Sequence, residues 1–379
     1  MKRRLVRLAL KAALLVFAAA FLGFVVAASG LIPIKASSGH WRITAWFLQF
    51  TKNRSLATHT ALMELPPLDD PALVLRGAGH YETGCRPCHG SPDLPSPRIP
   101  RAMTPAPPAL PPIIVKNDAE TLFYVVKHGI KFTGMPAWPA QERDDEVRAM
   151  VAFLLRLPQL DAVSYRKLVD GESDGSGAVV PLPDLHELSP PEAVVKNCAR
   201  CHGVDGRGRG VGAFPKLAGQ SPRYFVEALR AYARGARHSG IMEPVAVALS
   251  PREEVDLALY YANLPVGVIP ARAPHASTAS IERGREIASR GIPSAGVPPC
   301  ADCHGPSRAP RSDAYPKLAG QYAEYISLEL ELFRSKRRGG SPYLPIMEHV
   351  ATRLASEQIK DVAAYYGSLP LEGRAPESR

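Results

Sequence analysis

No cysteine in this chain of 379 residues stands outside a C-x-x-C-H frame. The six fall in CRPCHG at 85–90, CARCHG at 198–203 and CADCHG at 300–305, so no thiol is left for a disulfide or a separate reactive nucleophile. Strand-like alternation of apolar and polar residues is scarce, which predicts a mainly α chain. No aromatic–basic interleaving of the kind that binds nucleic acid occurs. Acidic residues are absent from the first 34 positions, where five basic ones stand.

What the cysteines do have is a histidine after each pair: His89, His202 and His304. A thioredoxin-like pair would open a helix within a βαβ pattern, and a zinc ribbon would need a second C-x-x-C or a His pair at a set distance. Covalent haem attachment needs two thiols, which add to the haem vinyl groups, and an immediately following His as the proximal iron ligand. Only the last chemistry explains the histidines. The motifs lie about a hundred residues apart, each in similar flanks, so they are not one shared zinc site. The pattern predicts three covalently bound haem c groups, held by Cys85 with Cys88, Cys198 with Cys201, and Cys300 with Cys303.

Such an iron needs a second axial ligand or an open position. Methionine is scarce, at seven residues. Met242, in GIMEPVA, is the only one between the second and third motifs, and Met347, in PIMEHVA, the only one after the third. The first unit offers Met103, Met135 and Met150. Met150 shares a helical face with Val147, Val151, Leu154 and Leu155, which marks it as core. Met103 follows His89 with little chain to travel round a haem. Met135, in the Gly/Pro-bounded loop KFTGMPAW, is placed to present a ligand from outside a helix. His128, His238 and His349 are rivals, and bis-His ligation lowers the potential that Met/His raises. A Pro-x-Leu follows each motif at Pro108, Pro215 and Pro316. A proline carbonyl there can accept the other imidazole N–H and fix the ring, although Pro108 has competing neighbours in TPAPPALPP.

The N-terminal run from Ala12 to Ile34 is uncharged and follows a basic start. It is long enough to cross a bilayer, and the positive-inside rule keeps its basic end cytoplasmic and sends the rest across. VVAASG within it also reads as a signal-cleavage site. Trp41, Trp46, Phe47 and Phe50 follow, beside Lys52 and Arg54, and fit an interfacial segment or a short helix packed on the first domain. Of the net charge of +10, half belongs to the anchor end. The cluster SKRRGG at 335–340 is a candidate dock for an acidic partner face.

Self-similarity divides the remainder. FPKLAGQ at 214–220 matches YPKLAGQ at 315–321, and IMEPVAVALSPREEVDLALYYANLP matches IMEHVATRLASEQIKDVAAYYGSLP. In the second of these, Ile359, Val362, Ala363 and Tyr366 form a buried helical stripe. The predicted organisation is an anchor at 1–34, a juxtamembrane segment at 35–70, and units at 71–160, 188–264 and 279–372. Gly/Ser/Pro-rich linkers cover 161–187 and 265–278, the first flexible and the second stiffer.

At this point the chain resembles the cytochrome c family. Gly77 and Tyr81 in GAGHYETGC, TGMPAW and the closing helix make residues 71–160 similar to a class I monohaem cytochrome. The repeated CHG, P-K-L-A-G-Q, M-E and Y-Y-x-x-L-P make 188–372 similar to the tandem two-haem cytochromes of the c-four type, as does the insertion GIPSAGVPPCADCHG. The resemblance implies iron ligation by His89 with Met135, His202 with Met242 and His304 with Met347. Two departures stand out. Val194 occupies the place of the helix aromatic, so the second unit's first helix is expected to pack differently. The third loop, GPSRAPRSDAYPKL, lacks the G-x-G of VDGRGRGVG and is expected to fold more tightly.

The resemblance implies three cytochrome c domains, each built around its haem, in an electron carrier tethered outside the cytoplasmic membrane. The expected partners are redox proteins: a terminal oxidase, a quinol-oxidising complex or a dehydrogenase. One alternative is the haem subunit of a membrane dehydrogenase. Another is a gas- or peroxide-responsive haem protein with one labile methionine. No catalytic constellation accompanies the haem motifs; Glu243 and Glu348, beside the methionines, read as surface or capping residues.

Overall fold

The computed structural model describes residues 2–32, 34–170, 190–209, 212–264, 276–306 and 312–371. Among these the chain is helical throughout, with only isolated bridges, Arg237 to Gly339 and Ile292 to Val297, in place of sheet. Three hydrophobic cores form, one per C-x-x-C-H motif.

In the first unit Asp70 caps the helix Pro71–His80 by accepting the Ala72 N–H at 2.8 Å, with proline at the first helical turn. The helix widens into a π-helical turn at Tyr81–Cys85 and ends at Arg86–His89, so the motif rides on its C-terminal turns. The closing helix Asp144–Arg156 carries three acids in its first turn and Arg156 in its last, the order that suits the helix dipole. The two helices cross at Gly77, where a Cβ would stand 2.1 Å from the Ala149 carbonyl oxygen. The third unit repeats this crossing with Thr278–Arg290 and Ser356–Ser368. There a Cβ on Gly284 would stand 1.9 Å from the Asp361 carbonyl oxygen. Only glycine permits either approach. The predicted stripe of Ile359, Val362, Ala363 and Tyr366 is buried in the third core, and Met150 in the first.

Val194 is fully buried, and its lack of a hydroxyl is made good from elsewhere. In the first unit Tyr81 Oη donates to the carbonyl of Gly90, the residue after the motif, at 2.7 Å. In the second, Tyr261 of the closing helix Pro251–Asn263 donates to the equivalent Gly203 carbonyl at 3.2 Å.

The first unit runs further than the sequence boundary at 160. Residues Ala162–Asp170 form a helix, not the start of a linker. Its Tyr165 and Val169 are buried in the first core, and Tyr165 Oη donates to Glu82 at 2.6 Å. The remainder of that linker, most of the second linker and part of the third unit's haem loop lie outside the described residues.

Lys2–Ala28 is one continuous helix, apolar and exposed, long enough to cross a membrane. The 19-residue helix Arg42–Thr60 follows. It turns Thr44, Leu48, Leu56 and Thr60 towards the first unit, where His59 meets Tyr124 with ring centroids 5.4 Å apart. Its other face leaves Ile43, Trp46, Phe47 and Phe50 more than half exposed. One face packs on the domain, and the aromatic face is left bare.

Candidate functional site

Each motif histidine meets the proline expected of it. His89 Nδ1 lies 3.0 Å from the Pro108 carbonyl oxygen, His202 Nδ1 lies 2.9 Å from that of Pro215, and His304 Nδ1 lies 2.9 Å from that of Pro316. A carbonyl only accepts, so Nδ1 carries the proton and Nε2 keeps its lone pair. Burial lowers the His202 pKa against the pull of the Pro215 bond, which favours the neutral ring. The proline's fixed φ and lack of an N–H make these loops stiff places from which to orient an imidazole.

The cysteines are unpaired thiols in all three motifs. Burial pushes Cys85 and Cys198 up to about 12 and Cys201 and Cys300 up to about 11. Among the described residues no cluster of three or more His, Cys, Asp or Glu could hold a metal ion by itself.

The second and third sites open into one continuous cavity of about 380 Å³. Its walls include His202 with Met242 and His304 with Met347, along with Cys198, Cys201, Cys300 and Cys303. The rival histidines are elsewhere. His349 is exposed, and His238 Nδ1 faces the Arg337 carbonyl at 3.0 Å. The rest of the lining is mostly apolar, with Leu229, Leu257, Phe225, Ile326 and Leu330 among it, while Arg237 and Arg338 stand at its polar edge. An apolar slot with a thiol pair, an oriented imidazole, a thioether and nearby guanidinium groups fits a haem, whose ring is apolar and whose propionates are anionic. Glu243 and Glu348 do not line the cavity.

In the first unit Met135 is half-buried in the loop between the helices Ala119–His128 and Asp144–Arg156, its carbonyl accepting the Ile130 N–H. Met103 comes closer than its short separation from His89 suggests. A Cβ on Gly134, next to Met135, would stand 2.3 Å from the Met103 methyl. The chain between His89 and Met103 folds through the short helix Arg98–Arg101. His128 is exposed, its ring tilted against that of Tyr124 with centroids 4.6 Å apart.

The units are not independent beads. Gln220 and Gln321, the last residues of the two KLAGQ strings, bridge the second and third units through the backbone of Lys317 and Lys216. The first unit lies against the second: Arg76 donates to the Ala213 carbonyl, and Arg209 to those of Val169 and Leu168. A Cβ on Gly79 of the first unit would stand 3.2 Å from Cys201 Sγ of the second.

The SKRRGG cluster is turned partly inward, while Lys336 and Arg337 stay exposed. Arg338 is buried and bonds Glu329 at 2.6 Å, alongside Arg237 at 2.8 Å, while Arg337 approaches Asp144 of the first unit at 3.5 Å. Folding brings the chain's own acids to a segment that looked like a free basic patch. Sequence reasoning passed over Glu146, Arg237 and Glu329, which have no local pattern. It noted the KLAGQ glutamines only as a repeat, and that repetition was the one usable signal.

The family described as cytochrome c oxidase, cbb3-type, subunit III matches residues 72–154, and the family described as cytochrome c matches 192–260 and 281–370. The thiosulfate dehydrogenase electron acceptor of Thiomonas intermedia is 36% identical over 189 residues, which cover 50% of this chain and 85% of that protein. Cytochrome c4 of Thiocapsa roseopersicina is 37% identical over 175 residues, covering 45% and 86%. The crystal structure of reduced cytochrome c4 from Pseudomonas stutzeri shares 31% identity, with a TM-score of 0.42, over 46% of this chain and 94% of that one. With domains that imply covalently bound haem c and serve electron transfer, the chain belongs to the cytochrome c family.

Proposed function

We propose that this chain is a membrane-tethered cytochrome with three haem c groups, passing single electrons from a periplasmic donor towards a terminal oxidase. The observation that carries the reading is the threefold pairing of a C-x-x-C-H histidine with a proline carbonyl, in one chain with a long apolar N-terminal helix. Bound haem iron takes up and releases one electron at a time. Cys85 and Cys88, Cys198 and Cys201, and Cys300 and Cys303 hold the three groups, and His89, His202 and His304 ligate them from the side oriented by Pro108, Pro215 and Pro316. Met135, Met242 and Met347 would ligate the irons together with these histidines. Irons held by both a histidine and a methionine would leave no place for a substrate, which supports a carrier.

The helix Lys2–Ala28 crosses the cytoplasmic membrane with its basic end inside, and the haem units stand on the exported side. The bare face of Ile43, Trp46, Phe47 and Phe50 rests in the membrane interface, only 13 residues of chain beyond the span. Tethering confines the search for a membrane acceptor to a thin layer and raises the effective concentration there.

Two likenesses support a direction of flow. The first unit's likeness to an oxidase subunit favours delivery from that end. Relatives named as electron acceptors of thiosulfate dehydrogenase favour entry from a dehydrogenase-type donor at the two-unit module. Rapid mixing of the reduced holoprotein with native membranes tests delivery: oxidation blocked by an oxidase inhibitor is expected, and no oxidation at all removes the oxidase from the scheme. Haem content of three per chain, with a reduced spectrum unmoved by carbon monoxide, is expected of closed sites. A shift at one site moves the gas-responsive reading to the front.

A further inference from the structure

The loop that leads to Met242 is fastened from outside its own unit. Ser239 and Gly240, three and two residues upstream, are buried against the first unit. There Glu146, itself only 3% exposed, accepts the Ser239 hydroxyl on Oε1 at 2.5 Å and the Gly240 N–H on Oε2 at 2.7 Å. Trp138, three residues after Met135, donates its indole N–H to the same Oε2 at 3.1 Å. Its ring lies so close to Gly240 that a Cβ there would stand 2.3 Å from Nε1. Arg143 completes the grip, 3.2 Å from Glu146 Oε1 and donating to the His238 carbonyl at 2.6 Å.

The link continues to the methionine. Ser239 Oγ, held by Glu146, accepts the N–H of Met242 at 3.0 Å and of Ile241 at 3.3 Å. The Ile241 side chain packs on the first unit's core. From the other side the third unit holds the same segment: Gly340 N–H donates to the Ala236 carbonyl and His238 N–H to the Arg338 carbonyl. The third unit's own loop is built differently. Met347 lies within the helix Leu344–Ala351, and Leu344 packs on that unit's own core.

We propose that Glu146 of the first unit is a positioning residue for Met242, so that docking of the first unit sets the distal ligation of the second haem. The proposal rests on the assignment of Met242 as that haem's ligand. Without the carboxylate, the Ser239 hydroxyl and the Gly240 N–H are left buried without an acceptor, a situation a short loop relieves by moving. A shift there is carried through Ser239 Oγ to the Met242 backbone. The loop segments that carry Met135 and Met242 also share Trp138 and Glu146, so a change at the first site has a bonded route to the second.

The test uses the full-length holoprotein with three variants: Glu146→Gln, Ser239→Ala and Met242→His. The readouts are the methionine-sulfur-to-iron charge-transfer band, the midpoint potential of each haem and haem content per chain. Met242→His defines the second site's share of the band. Glu146→Gln, which keeps volume and removes the charge, is expected to weaken that same share and lower that one potential while all haems stay bound. Ser239→Ala, which removes only a hydroxyl of the second unit, is expected to act in the same direction and carries the test should Glu146→Gln lose haem. If Met242→His removes its share but the other two leave band and potentials unchanged, Glu146 only packs the interface and the proposal fails. A change confined to the first haem also overturns it. If Met242→His itself leaves the band intact, the ligand assignment is wrong and the proposal falls with it.

Discussion

Gln321 holds Lys216 by both ends of its side-chain amide: Oε1 accepts the Lys216 N–H at 3.0 Å and Nε2 donates to the Lys216 carbonyl at 3.0 Å. Gln220 does the same to Lys317, at 2.8 and 3.2 Å. Each lysine directly follows the proline that faces a motif histidine, so the interface between the units and the loops that orient the imidazoles are one structure. Each lysine ammonium adds a bond to the other unit's turn, Lys216 to the Gly320 carbonyl and Lys317 to that of Gly219.

Replacing either glutamine by alanine therefore strands a backbone N–H and a carbonyl at a half-buried interface. We expect a loss of about 1–2 kcal/mol for each. Thermal melting of the holoprotein measures it, and a double variant that loses less than the sum indicates one coupled latch.

The distal ligands make a separate prediction. Met347→His is expected to lower that haem's midpoint potential, since Met/His ligation holds it above bis-His. Spectroelectrochemical titration reads the change. In the first unit, Met135→Leu is expected to abolish the methionine–iron band and Met103→Leu to leave it; the opposite result gives the ligand role to Met103, whose methyl lies against Gly134.

Gly284→Ala is expected to destabilise the third unit by about 2 kcal/mol or more, because the new methyl meets the Asp361 carbonyl and both partners are helical backbone. Earlier melting with release of one haem checks it. An unchanged melt would mean that the two helices slide apart without cost.

Acid is expected to loosen the contact between the second and third units. Burial works to raise the Glu329 carboxyl, but Arg237 and then Arg338 draw it from 4.5 down to about 2. A depressed carboxylate contributes stability in full above its unfolded value, and that contribution is lost as pH falls from 4.5 towards about 2. The amount is on the order of 3 kcal/mol. Melting followed through that window should show the loss. Glu329→Gln should be weaker at neutral pH and lack the step.

The bare face of the Arg42–Thr60 helix makes a prediction about lipid. In nanodiscs, brominated lipids are expected to quench Trp41 and Trp46, which are 56% and 61% exposed, while the buried Trp138 stays unaffected. Quenching by aqueous iodide instead would place that face in water.

Much of the site could be read from the order of residues alone. A C-x-x-C-H string is local, and its attached proline lies within about twenty positions, so its chemistry survives in one dimension. Helical stripes such as Ile359, Val362, Ala363 and Tyr366 are local too, because a helix converts spacing directly into a face. The end of the first unit was misjudged because Ala162–Asp170 is short, and its burial depends on Glu82 and the first core, far away in sequence. Tyr261 standing in for the missing aromatic at Val194 has the same origin: a hydroxyl from another helix reaches the same carbonyl.

The sequence by itself determined the kind of cofactor, the thiols and imidazoles proposed to hold it, and the repeat of the unit, since each depends on neighbours in the chain. Only the tertiary structure decided that Arg337 of SKRRGG meets Asp144, that the second and third sites share one cavity, and that Glu146 grips the loop before Met242. Those are contacts between residues about a hundred or more positions apart, and no local pattern encodes which buried charge will find which partner.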